Sequence, residues 1–216
     1  MSNPGYQITL DLTDRPCLVI GGGENAGERT GRLLEARARV TVVSPNLTPG
    51  LERLSSEGRI VHRRRRFEEG DLEGVFLVMH TVMADPALSR RLFALSQERG
   101  FLLNAHDQPD LSNFIMPALV RRGLLRVAVS TSGESPGVAK QVREGLETIF
   151  DETFGAYLDW VAGQRRRAKA EEPDPERRLG RIRETTEGLR IEGKVHYPEA
   201  WEKAKKGVGG RGSGVG

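Results

Sequence analysis

With one cysteine, Cys17, in 216 residues, the chain cannot form an internal disulfide. Long apolar runs are also missing: no stretch approaches the roughly 18 residues of a membrane span. The first residues lack the basic and apolar regions of a secretory signal. These absences set the expectation of a cytoplasmic protein with no membrane partner. The four histidines, His62, His80, His106 and His196, fall into neither C-x-x-C nor H-E-x-x-H spacing, so no structural zinc site is expected. No G-x-S-x-G elbow marks a serine hydrolase, and no internal repeat is visible. Aromatic residues make up only 6%. They do not interleave with the basic runs as a base-stacking surface requires, which argues against a nucleic-acid partner.

Charge is plentiful and unevenly placed. The net value is only +3, yet His62-Arg63-Arg64-Arg65-Arg66, Arg165-Arg166-Arg167 and the group Arg121, Arg122 and Arg126 are dense. Such runs are usually solvated faces, and they also suit a polycarboxylate ligand.

The chain is organised around Cys17-Leu-Val-Ile-Gly21-Gly22-Gly23-Glu24-Asn25-Ala26. The apolar run 17–20 reads as a buried parallel strand, and a helix pattern over about 25–37 follows the glycine turn. Gly21, Gly23 and Ala26 fit G-x-G-x-x-[G/A], the dinucleotide fingerprint. In that reading Gly21 permits the tight turn and Gly23 leaves room for a pyrophosphate. Ala26 lets helix and strand pack closely, and the helix N-terminus offers free N–H groups. Strand 40–43 closes a βαβ unit.

Along the rest of the chain, residues 4–10 read as an edge strand, 49–57 as a helix and 59–65 as a third strand. Residues 75–79 read as a central strand, 86 to about 100 as a helix opened by Asp85-Pro86, and 101–103 as a further strand. Alternating strands and helices predict a Rossmann-like, doubly wound parallel α/β sheet. Past Ile115 come a strand over 124–130 and a helix from Pro136 with Val138, Val142, Leu146 and Ile149 on one face. Further helical sequence follows over 151–170, then a Gly-rich tail.

In open parallel sheets ligands bind beyond the carboxyl ends of the strands. That rule selects Gly21–Asn25, Ser44–Asn46, His80–Met83 and Asn104–Asp107. The second strand ends in Ser44 rather than an acid; Ser44 and the backbone near Asn46 favour NAD over NADP. Asp107, in a loop leaving a core strand, is the candidate for proton transfer, its carboxylate partly shielded and raised towards neutrality. The bland alternative is a turn aspartate capping its own backbone before Pro109. His106 is read as a supporting group that could also help bind a metal.

Several ordered segments carry a family resemblance: Leu10-Asp11-Leu12 before Arg15-Pro16, Val19 to Glu24, Leu33 to Ala36, Val40 to Pro45, Arg66-Phe67, and Asp71-Leu72. They continue with Asn104-x-x-Asp107, Asn113-Phe-Ile-Met-Pro117, Val127 to Ser130, and Gly133-x-Ser-Pro136. Over about residues 5–150 the chain resembles the precorrin-2 dehydrogenase / sirohydrochlorin ferrochelatase family, the NAD-dependent module of siroheme synthesis. The resemblance implies oxidation of precorrin-2 to sirohydrochlorin with NAD+, Asp107 being the acid/base residue. It implies cofactor contacts at Gly21, Gly22, Gly23, Glu24, Asn25, Ser44, Pro45, Asn46 and Thr81, and substrate contacts at Asn104, His106 and Asn113. It further implies a homodimer and a tetrapyrrole whose eight carboxylates give the arginines a purpose. In some relatives a second, lyase-type activity inserts Fe2+.

The chain departs from the family pattern at Asn25 (usually valine), Glu28-Arg29 (more typically Arg-Lys), Val82-Met83 (usually Thr-Asp or Thr-Asn) and Thr131 (commonly serine). The expected division is an NAD-binding domain at 1–117 and a dimerisation strand and helix at 118–150. A helical region at 151–204 and a flexible tail at 205–216 complete it. The competing function is a non-catalytic tetrapyrrole- or NAD-binding carrier or sensor.

Overall fold

The computed structural model describes residues 5–194 with His196, Pro198 and Glu199. The expected tail at 205–216 lies outside the described residues. The chain forms two compact units, one of residues 1–117 with 130–136, the other of 118–129 with the chain from 137 onward.

The first unit holds a five-stranded parallel sheet. Its strands are β1 (Pro16–Ile20), β2 (Arg39–Val43), β3 (Val61–Arg63), β4 (Leu77–His80) and β5 (Leu102–Ala105), in the order β3-β2-β1-β4-β5. The order reverses between β1 and β4, the doubly wound topology expected. Three helices connect the strands: α1 (Glu24–Glu35), α2 (Pro49–Ser56) and α3 (Pro86–Arg99).

Strand pleating splits the core in two. Cys17 and Val19 of β1 face a cluster with Ala26 and Leu33 of α1 and Leu51 of α2. Leu18 and Ile20 face the other cluster, with Leu92 and Leu95 of α3. With both faces covered, β1 and β4 are buried almost end to end, which is why they read as continuous apolar runs rather than alternating ones. Burial pushes the Cys17 thiol up to about 11, so it packs as a small hydrophobe. Helix α3 has a cap at each end: the Asp85 side chain accepts from the Leu88 N–H at 2.9 Å, and Gly100 closes it at φ +75°.

Three expectations need correction. Residues 5–10 form no strand: on the parity of Tyr6, Ile8 and Leu10, Tyr6 and Ile8 are 90% and 64% exposed and only Leu10 packs against the core. The third strand is shorter than the predicted 59–65. A strand that periodicity did not reveal, β6 (Ala118–Arg122), pairs antiparallel with β7 (Leu125–Val129). Its run Ala-Leu-Val-Arg-Arg does not alternate; the hairpin is set by the two-residue loop Gly123-Leu124, with Gly123 at φ +51°.

In the second unit, β6 and β7 are followed by α4 (Pro136–Ile149), α5 (Glu152–Glu171) and α6 (Pro175–Glu184). α5 starts afresh at Asp151, whose side chain accepts from the Phe154 N–H at 3.0 Å. Gly155 of α5 and Gly123 of the hairpin turn approach so closely that a Cβ on Gly123 would lie 3.3 Å from the Gly155 carbonyl oxygen.

Candidate functional site

Strand register sets one rim level. Val43, Ile20, His80 and Ala105 lie side by side across β2, β1, β4 and β5. The residues that follow them leave the sheet together at its carboxyl edge. Each is tied to the neighbouring strand: the Gly21 N–H donates to the Val43 carbonyl at 3.0 Å, that of Thr81 to Ile20 at 2.9 Å, and that of His106 to His80 at 2.8 Å. Ser44 joins the same rim, its N–H donating to the Arg63 carbonyl at 3.2 Å. The four loops selected from sequence therefore share one edge, around the point where strand order reverses.

At the glycine bend, Gly21 adopts φ +115° and a Cβ there would overlap the Thr81 hydroxyl. That hydroxyl donates to the Ile20 carbonyl at 2.9 Å, so Thr81 buttresses the bend. Gly22 is the tightest position. A Cβ there would overlap the Asn46 carbonyl oxygen and come within 2.8 Å of Ser44 Oγ. The Thr48 N–H donates to the Gly22 carbonyl at 2.9 Å, locking the bend to the 44–48 loop. Gly23 differs, because nothing lies within 4 Å of its Cβ position. It is the N-cap of α1 and makes no side-chain cap, so first-turn N–H groups are left for a ligand. Glu24 is exposed and Asn25 half-buried beside this opening. An open glycine at a helix start, backed by a rigid bend, fits a diphosphate.

On the β5 side, Asp107 is exposed and sits at φ +56°, a left-handed conformation that aspartate tolerates better than most residues. Among the described residues nothing donates to its carboxylate, so the turn-cap alternative is not what this aspartate does. The partial shielding expected for it is absent in the single chain. Asn104 donates to the Phe114 carbonyl at 3.1 Å. Asn113, expected at the substrate, is committed to structure. Its amide donates to the Phe101 carbonyl at 3.0 Å and accepts from the Leu103 N–H at 2.7 Å, fastening the 113–117 segment along β5.

His80, buried at the end of β4, faces Ser89 Oγ from Nε2 at 2.9 Å, and its Nδ1 lacks a partner among the described residues. Desolvation pulls its pKa down to about 4, so the ring is neutral near pH 7.

Two features were not legible as site chemistry. Arg29 of α1 reaches the β5 loop, donating to Met116 Sδ at 3.2 Å and lying 3.5 Å from His106 Nδ1. In the sequence it stood out only as a departure from a family pair. The arginine run that begins in β3 and continues past it is not simply a solvated face. Arg63 and Arg65 both bind the buried Asp71 carboxylate, Arg65 at 2.6 and 2.8 Å. Arg64 and Arg66 are exposed.

Among the described residues, no group of three or more His, Cys, Asp or Glu is gathered to hold a metal ion, and no helix is long and apolar enough to cross a membrane. A hollow of about 510 Å³ opens at the amino ends of β4 and β5 between Glu69, Val75, Arg99 and Phe101. Glu69 is already held there by Arg91 at 2.6 Å, far from the rim described above.

A family model described as NAD(P)-binding matches residues 8–118. The siroheme synthase of Thioalkalivibrio sulfidiphilus is 39% identical over 173 residues, covering 80% of this chain and 35% of that protein. The siroheme synthase of Methylobacillus flagellatus is 40% identical over 162 residues, covering 75% and 34%. The chain thus spans about a third of the length of the curated relatives it matches. Among solved structures, SirC, a precorrin-2 dehydrogenase, superposes with a TM-score of 0.76 at 27% identity, covering 85% of this chain and 90% of that one.

Proposed function

Since the chain belongs to the NAD(P)-binding family and resembles siroheme synthases and a precorrin-2 dehydrogenase, we propose that it oxidises precorrin-2 to sirohydrochlorin in siroheme biosynthesis. The observation that carries this reading is the shared rim: an open glycine at the start of α1, and the Asp107 loop leaving β5 at the same level.

Bound at the bend, NAD+ supplies the acceptor for a hydride from the macrocycle. The amides after Gly23 would hold the diphosphate, with Glu24 and Asn25 beside it. The 44–46 loop, carrying Ser44, Pro45 and Asn46, would line the adenosine side. Thr81 keeps the bend open by holding the Ile20 carbonyl. Asp107 takes the proton released when the two-electron oxidation removes a hydride, so one hydride and one proton leave together. Exposure of Asp107 in the single chain suits a group covered only by the macrocycle and a second subunit. His106 and Asn104 shape the substrate side, and Asn113 acts by fixing the segment behind them.

The working form in this reading is a cytoplasmic homodimer joined through the unit that contains α4. Insertion of Fe2+ into the product is a second, lyase-type activity, with iron as substrate at the Asp107–His106 rim.

The test is turnover of precorrin-2 by the purified chain, followed by NADH absorbance. The expected result is NAD+ reduction that falls about 10²–10⁴-fold in Asp107→Asn, while NAD+ affinity is unchanged. Tight binding of NAD+ and sirohydrochlorin with no oxidation by the wild type would instead establish a carrier or sensor.

A further inference from the structure

We propose that Arg29 is the anchor for a carboxylate of the macrocyclic substrate, an inference that rests on the reading above. The side chain is half-buried on α1, one turn past the glycine bend, and its guanidinium is aimed at the loop that carries Asp107. Its side-chain contacts are a thioether and an imidazole, not a carboxylate. Met116 Sδ receives one N–H at 3.2 Å, and His106 Nδ1 lies 3.5 Å from the other terminal nitrogen.

No carboxylate among the described residues lies within ion-pair distance of Arg29. The nearest acid along the helix, Glu28, is taken by Arg32 at 2.5 Å. Desolvation lowers the pKa of Arg29 from its ordinary value, outweighing the opposing pull of the adjacent Glu28 carboxylate.

A half-buried cation with no carboxylate partner among the described residues has donors to offer. Five N–H groups radiate from a guanidinium, and two are directed at Met116 and His106. The remaining ones suit the fork geometry of a carboxylate. Both neighbouring groups are themselves pinned. His106 is held by its N–H to the His80 carbonyl at 2.8 Å, and Met116 lies in the segment that Asn113 fastens to β5. Arg29 is therefore preset rather than searching, which limits the ordering cost of binding. Its direction favours a substrate carboxylate over a cofactor phosphate. It points to the β5 loop, where the reading above puts the reacting carbon, whereas that reading would lay the dinucleotide's adenosine side along the 44–46 loop.

The experiment uses the full chain as wild type, Arg29→Met and Arg29→Lys, titrated separately with sirohydrochlorin and NAD+, with melting curves for each. Arg29→Met is expected to bind sirohydrochlorin about tenfold more weakly, a loss of ~1.4 kcal/mol, and to bind NAD+ like the wild type. The KM for precorrin-2 rises more than kcat falls. Arg29→Lys, which keeps the charge but loses the fork, is expected to be weakened about two- to fivefold, and it decides the matter if Arg29→Met does not fold. Unchanged sirohydrochlorin affinity in both variants overturns the assignment. So does a selective loss of NAD+ affinity, which would put the guanidinium on the diphosphate. If the wild type binds neither ligand, the functional reading falls and the anchor with it. If the wild type binds both and the variants match it, only the anchor falls.

Discussion

Gly21, Gly22 and Gly23 differ in what a methyl group would meet, and that difference separates folding from binding at single residues. Gly22→Ala drives a Cβ into the Asn46 carbonyl and is expected to destabilise the protein by about 1–3 kcal/mol, read as a lowered melting temperature. Gly23→Ala meets open space in an extended conformation that alanine accepts. Its stability is expected to stay within about 0.5 kcal/mol of the wild type while NAD+ affinity drops. Equal melting temperatures for the two variants, or an unaltered NAD+ affinity in Gly23→Ala, would contradict this division. The fingerprint in the sequence points to 21, 23 and 26. The demand at 22 is invisible there, because its partners, Ser44 and Asn46, arrive on the loop after a different strand, β2.

At the level of elements, the arginine run that begins in β3 illustrates how an isolated charge count misleads. Asp71 accepts from Arg65, from Arg63 and from the Glu68 N–H at 2.9 Å, and together they hold its carboxyl at about 2. The folded pKa lies below the unfolded value of 3.8, so the contribution is complete above about pH 4 and is lost as pH falls towards 2. Asp71→Asn is expected to lower stability by about 2 kcal/mol at pH 7 and to flatten the pH dependence of unfolding between 4 and 2. Denaturant melts of both proteins at pH 7, 4 and 2.5 check this. A stability loss in Asp71→Asn that stayed constant down to pH 2.5 would show the carboxylate's charge to be irrelevant. Periodicity marked the elements that pack on both faces, such as β1 and β4. It missed β6, whose partner β7 sits in a hairpin, because a two-stranded ribbon lacks the second layer that imposes a pattern.

On the scale of the whole molecule, α4 carries an apolar row that the single chain leaves open: Val138 is 53% exposed, Val142 44% and Ile149 38%. The homodimer proposed above would cover such a row. Val142→Glu is expected to shift sedimentation from dimer to monomer at micromolar concentration and to lower precorrin-2 turnover, while NAD+ binding by the first unit persists. Sedimentation of the wild type as a monomer would remove the dimer from the proposal.

Residue order alone determined the parallel αβ layout and the glycine bend after β1, since strand length, turn glycines and helix period are local properties of the chain. The same local signals placed Asp107 in a loop at the end of a core strand. Only the folded chain decided that Asn113 works as a backbone clasp, that Gly22 is wedged against Asn46, and that Arg29 reaches Met116 across 87 positions of sequence. Such contacts depend on which strands become neighbours and at what register, quantities that no window of adjacent residues contains.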